Sequence, residues 1–178
     1  MDQAFRESEE WKKGCMGELL IADLLKRAGW YILPSYDYSG EDEKAPRLQG
    51  ALEDYVIPDL DISKNGERRW AEVKTKQSAD WTRITQRLEH GIPLRHYHHY
   101  LEVQRITGCD VWLFVYEIET GDVLYAQLDE LAEDLRLYEG NKMSRGGMAF
   151  FPRDAFKLWP LKEKLDDPTQ LELGLLAA

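Results

Sequence analysis

The dipeptide Asn65-Gly66 constrains this chain more than any other pair of residues. It separates two runs of β-forming residues, Tyr55–Ser63 and Arg68–Lys76. Asn-Gly between alternating strands is the strongest short-range signal for a two-residue hairpin loop. The register follows from the loop: Lys64 opposes Glu67, and counting outward sets Asp59 opposite Glu72. Opposed side chains share a face with Cβ atoms about 5 Å apart. Lys74, two residues past Glu72, returns to that face, while Ala71 and Val73 point into packing. Asp61 shares the face opposite Trp70 and is the rival of Asp59, with the register favouring Asp59.

Two carboxylates that close on a sheet repel. A divalent cation resolves the conflict, because Mg²⁺ prefers a few carboxylate oxygens together with water and a substrate phosphate. Such an ion polarises a phosphodiester and lowers the pKa of an attacking water. Lys74 is then placed to handle that water and to offset charge building on the phosphate. The competing reading is a set of ordinary surface ion pairs, which are common and worth little. The otherwise apolar character of both runs speaks against it.

Pro58-Asp59 followed by Glu72-Val73-Lys74 resembles the PD-(D/E)XK pattern of restriction-endonuclease-like nucleases and archaeal-type Holliday junction resolvases. By motif the resemblance covers roughly residues 14–76. It implies a single α/β domain of the restriction-endonuclease-like fold, a central mixed β-sheet flanked by helices. It also implies Mg²⁺-dependent hydrolysis of DNA phosphodiester bonds, with Mn²⁺ as a substitute, on branched or processed DNA in recombination or repair. Asp59 and Glu72 become metal ligands and Lys74 their electrostatic partner. Families of this kind carry a further glutamate on the first helix, commonly after a glycine, and Gly17-Glu18 fits that place. Glu18 is thus a third acid, binding metal directly or through water. Lys76, on the Glu72 and Lys74 face, and Gln104, on a later helix, are the expected substrate contacts. DNA is the implied partner, and a homodimer is the arrangement of many such enzymes. Two alternatives stand beside this reading: a DNA-binding accessory module that keeps the fold without efficient catalysis, and an interaction domain whose acidic surface binds basic protein.

Charge supports a local rather than a global phosphate-facing surface. The net charge is −10, which argues against nucleic acid held by the whole exterior. Between Lys64 and Arg105, however, nine Lys or Arg face five Asp or Glu, and all four histidines fall there. His98 and His99 are adjacent on the expected helix and make poor joint ligands. The histidines are read as solvent-facing or as phosphate contacts at the rim of the site, with Tyr97, Leu101 and Val103 in the core.

The rest of the pattern fits one compact domain, 1–161, with an acidic tail, 162–178. At 43% hydrophobic residues the chain has enough apolar material for a core. A helix is expected over about residues 4–28, closed by Gly29. A strand follows over 30–33, then an exposed loop over 35–51. The polar segment holding Trp81, Arg83 and Arg87 reads as a helix ended by Gly91 and Pro93. Further helices are expected over 94–107 and 129–138, and strands over 111–118 and 123–127, with a short segment at 148–151. Cys15 and Cys109 read as free thiols, too few for a disulfide framework. With a polar N-terminus and no apolar run of membrane-spanning length, a cytoplasmic location and no membrane partner are expected. Gln170 to Leu175 resembles a sliding-clamp-binding peptide, the alternative being a frayed tail.

Overall fold

The structure, a computed structural model, describes residues 8–35, 47–140 and 146–160. Helix α1, Glu9–Arg27, begins where the Ser8 hydroxyl accepts the Trp11 N–H and ends before Gly29 at φ 86°, a left-handed position that suits glycine. Five strands follow: β1 (Tyr31–Pro34), β2 (Arg47–Gln49), β3 (Asp54–Val56), β4 (Leu60–Lys64) and β5 (Glu67–Lys76). A hairpin, β6 (Asp80–Thr82) and β7 (Arg87–Pro93), leads directly into α2, Leu94–Thr107. After the left-handed Gly108 come β8 (Val111–Glu117) and β9 (Asp122–Gln127), a 3-10 turn, and then β10 (Arg136–Tyr138), β11 (Met148–Pro152) and β12 (Lys157–Leu158).

The central sheet has the order β1-β4-β5-β8-β9-β12. Only β5 and β8 run parallel, so the sheet is mixed, as expected, and the connection between them carries β6, β7 and α2. The two faces of the sheet are covered by different helices. Ala71, Val73, Phe114 and Tyr116 pack on Leu20, Ile21 and Leu25 of α1. Trp70, Leu113 and Val115 pack on Tyr97, Tyr100 and Val103 of α2. Alternation along β5 therefore places Glu72 and Lys74 on the α2 face. A four-stranded antiparallel sheet, β10-β11-β7-β6, closes that side.

The α1 layer lies close on the sheet because of Gly17. A Cβ there would sit 1.8 Å from the Thr75 hydroxyl oxygen, so only glycine allows this approach. That contact fixes the height of Glu18, the next residue, above β5.

Several expectations are corrected. Residues 80–93 form a β-hairpin and strand, not a helix; the buried carboxylate of Glu89 accepts hydrogen bonds from Thr82 and Thr85 and pairs with Arg136, which rewards an extended backbone. Gly91 lies inside β7 opposite Phe150. Residues 129–138 give a short 3-10 turn, Glu130–Asp134, and the strand β10. Residues 47–49 of the expected loop pair with β3, which splits the first β run: its start forms a separate two-stranded ladder, while β4 stays in the central sheet. The Val56 N–H donates to His99 Nδ1 at 2.9 Å and ties that ladder to α2. The tail from 162 onward, including Gln170 to Leu175, lies outside the described residues. Among those residues no helix is long and apolar enough to cross a membrane.

Gly17→Ala is expected to destabilise the fold by about 1–3 kcal/mol, as overpacking does, although alanine is intrinsically the better helix former. Thr75→Ala in that background should recover part of the loss, since the Thr75 hydroxyl is buried without a hydrogen-bond partner. Urea unfolding of the two single variants and the double variant checks both statements.

Candidate active site

The β4–β5 hairpin forms as the Asn-Gly turn requires, with Asn65 and Gly66 at φ 51° and 84°. The register runs from Lys64 opposite Glu67 to Leu60 opposite Ala71. There the ladder stops, one residue short of Asp59. The expected cross-strand pair of Asp59 and Glu72 is replaced by something tighter. The Asp59 carboxylate itself accepts the Val73 N–H at 2.8 Å, and its carbonyl accepts the Ser35 N–H at 2.8 Å. Pro58 precedes this break and has no N–H to continue a ladder.

Asp59 is buried at 7% exposure and Glu72 at 1%. Burial pushes the Asp59 pKa well above the usual carboxylate range, and the charge of Glu72 pushes it further. Lys74 and the Val73 N–H pull it down, and Glu18 on α1 pushes it up again. Asp59, Glu72, Lys74 and Glu18 therefore share one electrostatic neighbourhood, as the sequence implied. Lys74 pairs with one Glu72 oxygen and reaches the Val73 carbonyl at 3.3 Å. The other Glu72 oxygen is buried with no hydrogen-bond partner among the described residues. An orphaned carboxylate oxygen beside a second buried carboxylate is a donor set short of positive charge.

The rival acid is otherwise engaged. Asp61 forms a two-pronged ion pair with Arg68, with oxygens 2.7–3.1 Å from its nitrogens, and Arg68 in turn lies over the Trp70 ring. Lys76 is half-buried at the end of β5, and desolvation lowers its pKa, with the neighbouring Lys74 adding to the effect. Gln104 differs from expectation. Its side-chain N–H donates to Asp129 at 2.7 Å and its carbonyl accepts the Val111 N–H at 2.9 Å. Both ends of that amide are spent on fastening α2 to the start of β8, so Gln104 serves the frame.

His96 is the residue the sequence reading placed too loosely. It sits in the first turn of α2, shares a hydrogen bond with the Tyr100 hydroxyl at 3.3 Å, and packs edge-on against that ring. Desolvation lowers its pKa; Glu72 raises it, while Lys74 lowers it. The spacing of His96 and Tyr100, one helical turn apart, was the available signal. His99 is tied to Val56 and His90 to Glu117 at 2.9 Å, so neither is a loose surface histidine.

No family model and no curated protein matches the sequence. Solved structures do match the fold. The Holliday junction resolvase Hjc of Archaeoglobus fulgidus superposes with a TM-score of 0.50 at 12% identity, covering 81% of this chain and 87% of that one. The chain has a restriction-endonuclease-like fold. A nuclease from a fusselovirus aligns with a TM-score of 0.45 at 14% identity, covering 81% of this chain and 82% of that one. In this fold Pro58-Asp59 immediately precedes β4, and Glu72-Val73-Lys74 lies in the middle of β5.

Among the described residues no group of three or more His, Cys, Asp or Glu side chains is placed to hold a metal ion. Two carboxylates with room for water and phosphate are the open pattern that Mg²⁺ favours. The oxygen donors of Asp59 and Glu72, one of them buried without a hydrogen-bond partner among the described residues, fit a hard divalent cation. Metal-free protein should show the cost of this site. A carboxyl whose folded pKa is raised contributes stability at low pH that is lost as pH rises through the raised value. Asp59→Asn is therefore expected to raise the Tm of metal-free protein at neutral pH by about 2–4 °C, the effect of ~1 kcal/mol in a domain of this size. The gap should close on acidification. Thermal melts across pH with and without Mg²⁺ test this; a variant less stable than wild type at neutral pH in chelator would contradict it.

Proposed function

We propose that this chain is a metal-dependent deoxyribonuclease that hydrolyses DNA phosphodiester bonds. The observation that carries the reading is the Glu72 carboxylate: buried, beside buried Asp59, with one oxygen on Lys74 and the other without a hydrogen-bond partner among the described residues. That arrangement is unfavourable alone and would become favourable with a cation held by the two acids.

Asp59 and Glu72 would hold the ion, and Glu18 would complete its surroundings directly or through water. A divalent ion bound there supplies charge neutralisation at the phosphate and a lower pKa for water. The residues of the chain do the rest. Val73 N–H fixes the Asp59 carboxylate so that no side-chain reorganisation is needed on binding. Lys74, held by Glu72, brings an ammonium to the place where negative charge develops and can orient the attacking water. Lys76 extends the same face toward a neighbouring phosphate. His96, kept uncharged by desolvation near neutral pH, offers a ring N–H at the rim for a phosphate oxygen. DNA rather than RNA, Mg²⁺ with Mn²⁺ as substitute, and action on branched or processed DNA follow from the resemblance in sequence pattern. The same holds for a homodimer and for a clamp contact through Gln170 to Leu175.

Wild type, Lys74→Ala and Glu72→Ala are to be compared on linear, supercoiled, flapped and four-way DNA with Mg²⁺ or Mn²⁺. Metal-dependent cutting that falls about a hundredfold or more in both variants is the expected result, the scale of losing one preorganised charge contact. Binding without cutting in any metal would instead make the chain an accessory module of the same fold. Variants that cut as well as wild type would remove Glu72 and Lys74 from the chemistry.

A further inference from the structure

The hairpin of β6 and β7 leaves β5 only three residues after Lys76, and it carries an unusual set of outward side chains. Trp81, Ile84 and Leu88 are 62%, 82% and 44% exposed. Trp81 and Leu88 are cross-strand partners, so they lie side by side on one face of the hairpin. Ile84 sits in the four-residue turn between the strands. Arg83 and Arg87 are exposed on the same segment, and residues 81–88 contain no acid although the chain as a whole is strongly acidic.

This apolar tip is rigidly held. Glu89, 2% exposed, accepts Thr82 Oγ1 at 2.9 Å and Thr85 Oγ1 at 2.7 Å and pairs with Arg136. Those bonds span the turn from both sides and support Gln86 in a left-handed conformation at φ 53°. A buried carboxylate thus pins the turn with Ile84 outward, where burial within the chain is impossible. Exposed apolar groups clustered this way mark an interaction surface. β6 is the edge strand of its sheet, and it begins at Asp80, close behind the end of β5 at Lys76.

We infer that the hairpin is a DNA-opening wedge. Ile84 enters between base steps, Trp81 stacks on an exposed base, and Arg83 and Arg87 hold the flanking phosphates. Apolar wedges flanked by cations unstack DNA in this manner. The charge complementarity of an acid-free, arginine-bearing tip on an acidic protein selects a polyanion over a protein partner. Among the described residues Arg87 makes a long pair with Asp134, 3.5 Å between half-exposed groups, which a phosphate can replace. The inference rests on the reading that DNA is the substrate, and it adds that the substrate is a branch point or unpaired step.

The test uses full-length protein with Ca²⁺ in place of Mg²⁺ and four-way DNA carrying 2-aminopurine at the branch, beside a matched duplex. Wild type should raise the fluorescence of the branched probe and bind it more tightly than duplex. Ile84→Ala and Trp81→Ala should abolish the rise and weaken binding at least about fivefold, the loss of one stacking side chain. Arg83→Ala with Arg87→Ala should lower the slope of log affinity against log salt by about 2. Leu52→Ala, a fully exposed residue elsewhere, should match wild type. No rise with wild type, or a wild-type rise in the hairpin variants, overturns the wedge. A change of oligomeric mass in those variants with DNA binding intact overturns it in favour of a protein contact. If wild type cuts no DNA in any metal yet shows the hairpin-dependent rise, the nuclease reading falls and the wedge stands.

Discussion

The bond from Val73 N–H to the Asp59 carboxylate organises everything around the candidate site. At the point where β4 would supply its next main-chain acceptor, the chain supplies a side-chain oxygen instead. The exchange satisfies a buried donor that would otherwise cost energy, and it forces the carboxylate into the sheet beside Glu72. An acid anchored by the backbone cannot swing to solvent when its neighbour repels it. Burial first, and then the charge of Glu72, therefore raise the Asp59 pKa.

Comparison of three buried glutamates shows how selective this arrangement is. Glu89, Glu117 and Glu72 are each at most 2% exposed. Burial alone would raise the pKa of Glu89, but Arg136, Thr85 and Thr82 outweigh it and hold the group below the ordinary value. Glu117 behaves likewise: burial opposes the charge, while Arg153, His90 and Thr120 prevail. Both carboxylates are stitched on all sides and serve the frame. Glu72 has Lys74 on one oxygen and, among the described residues, no hydrogen-bond partner on the other. The three acids are equally deep, so depth does not distinguish a site from a structural anchor. The number of unmet hydrogen-bonding positions does.

The hairpin register and the long helices were legible because each rests on local chemistry: Asn65-Gly66 sets the turn, and Gly29 and Gly108 end helices in left-handed positions. The shared face of Glu72 and Lys74 followed from that register, although the expected cross-strand pair of Asp59 and Glu72 did not form, and the mixed sheet followed from the element order. What sequence could not show depended on contacts distant along the chain. The segment holding Trp81 and Arg83 has helix-compatible polarity, yet Arg136, forty-seven residues beyond Glu89, helps fix it as a hairpin. Gln104 looked available on its helix face, and only the approach of Asp129 and Val111 occupies it. His96 shows the reverse case, where a helix packed over the strand brings a residue toward charges that its neighbours in sequence never meet.

The sorting of charge along the chain acquires a spatial meaning from the parallel pair β5 and β8. A parallel connection must cross the sheet and needs a long insertion to do so, and here the insertion holds the hairpin and α2. The basic stretch from Lys64 to Arg105 is largely that crossover and the strand feeding it. Acidic excess is left to the remainder of the chain, where it repels a polyanion. The crossover itself is nearly balanced, with Arg83, Arg87, Arg95 and Arg105 against Asp80, Glu89 and Glu102, so the local excess comes mainly from Lys64, Arg68, Arg69, Lys74 and Lys76 on the hairpin strands that precede it. Focused local charge governs encounter more than net charge does, so under the proposed function it is β5, and not the chain's net charge of −10, that would set the direction from which a polyanion approaches.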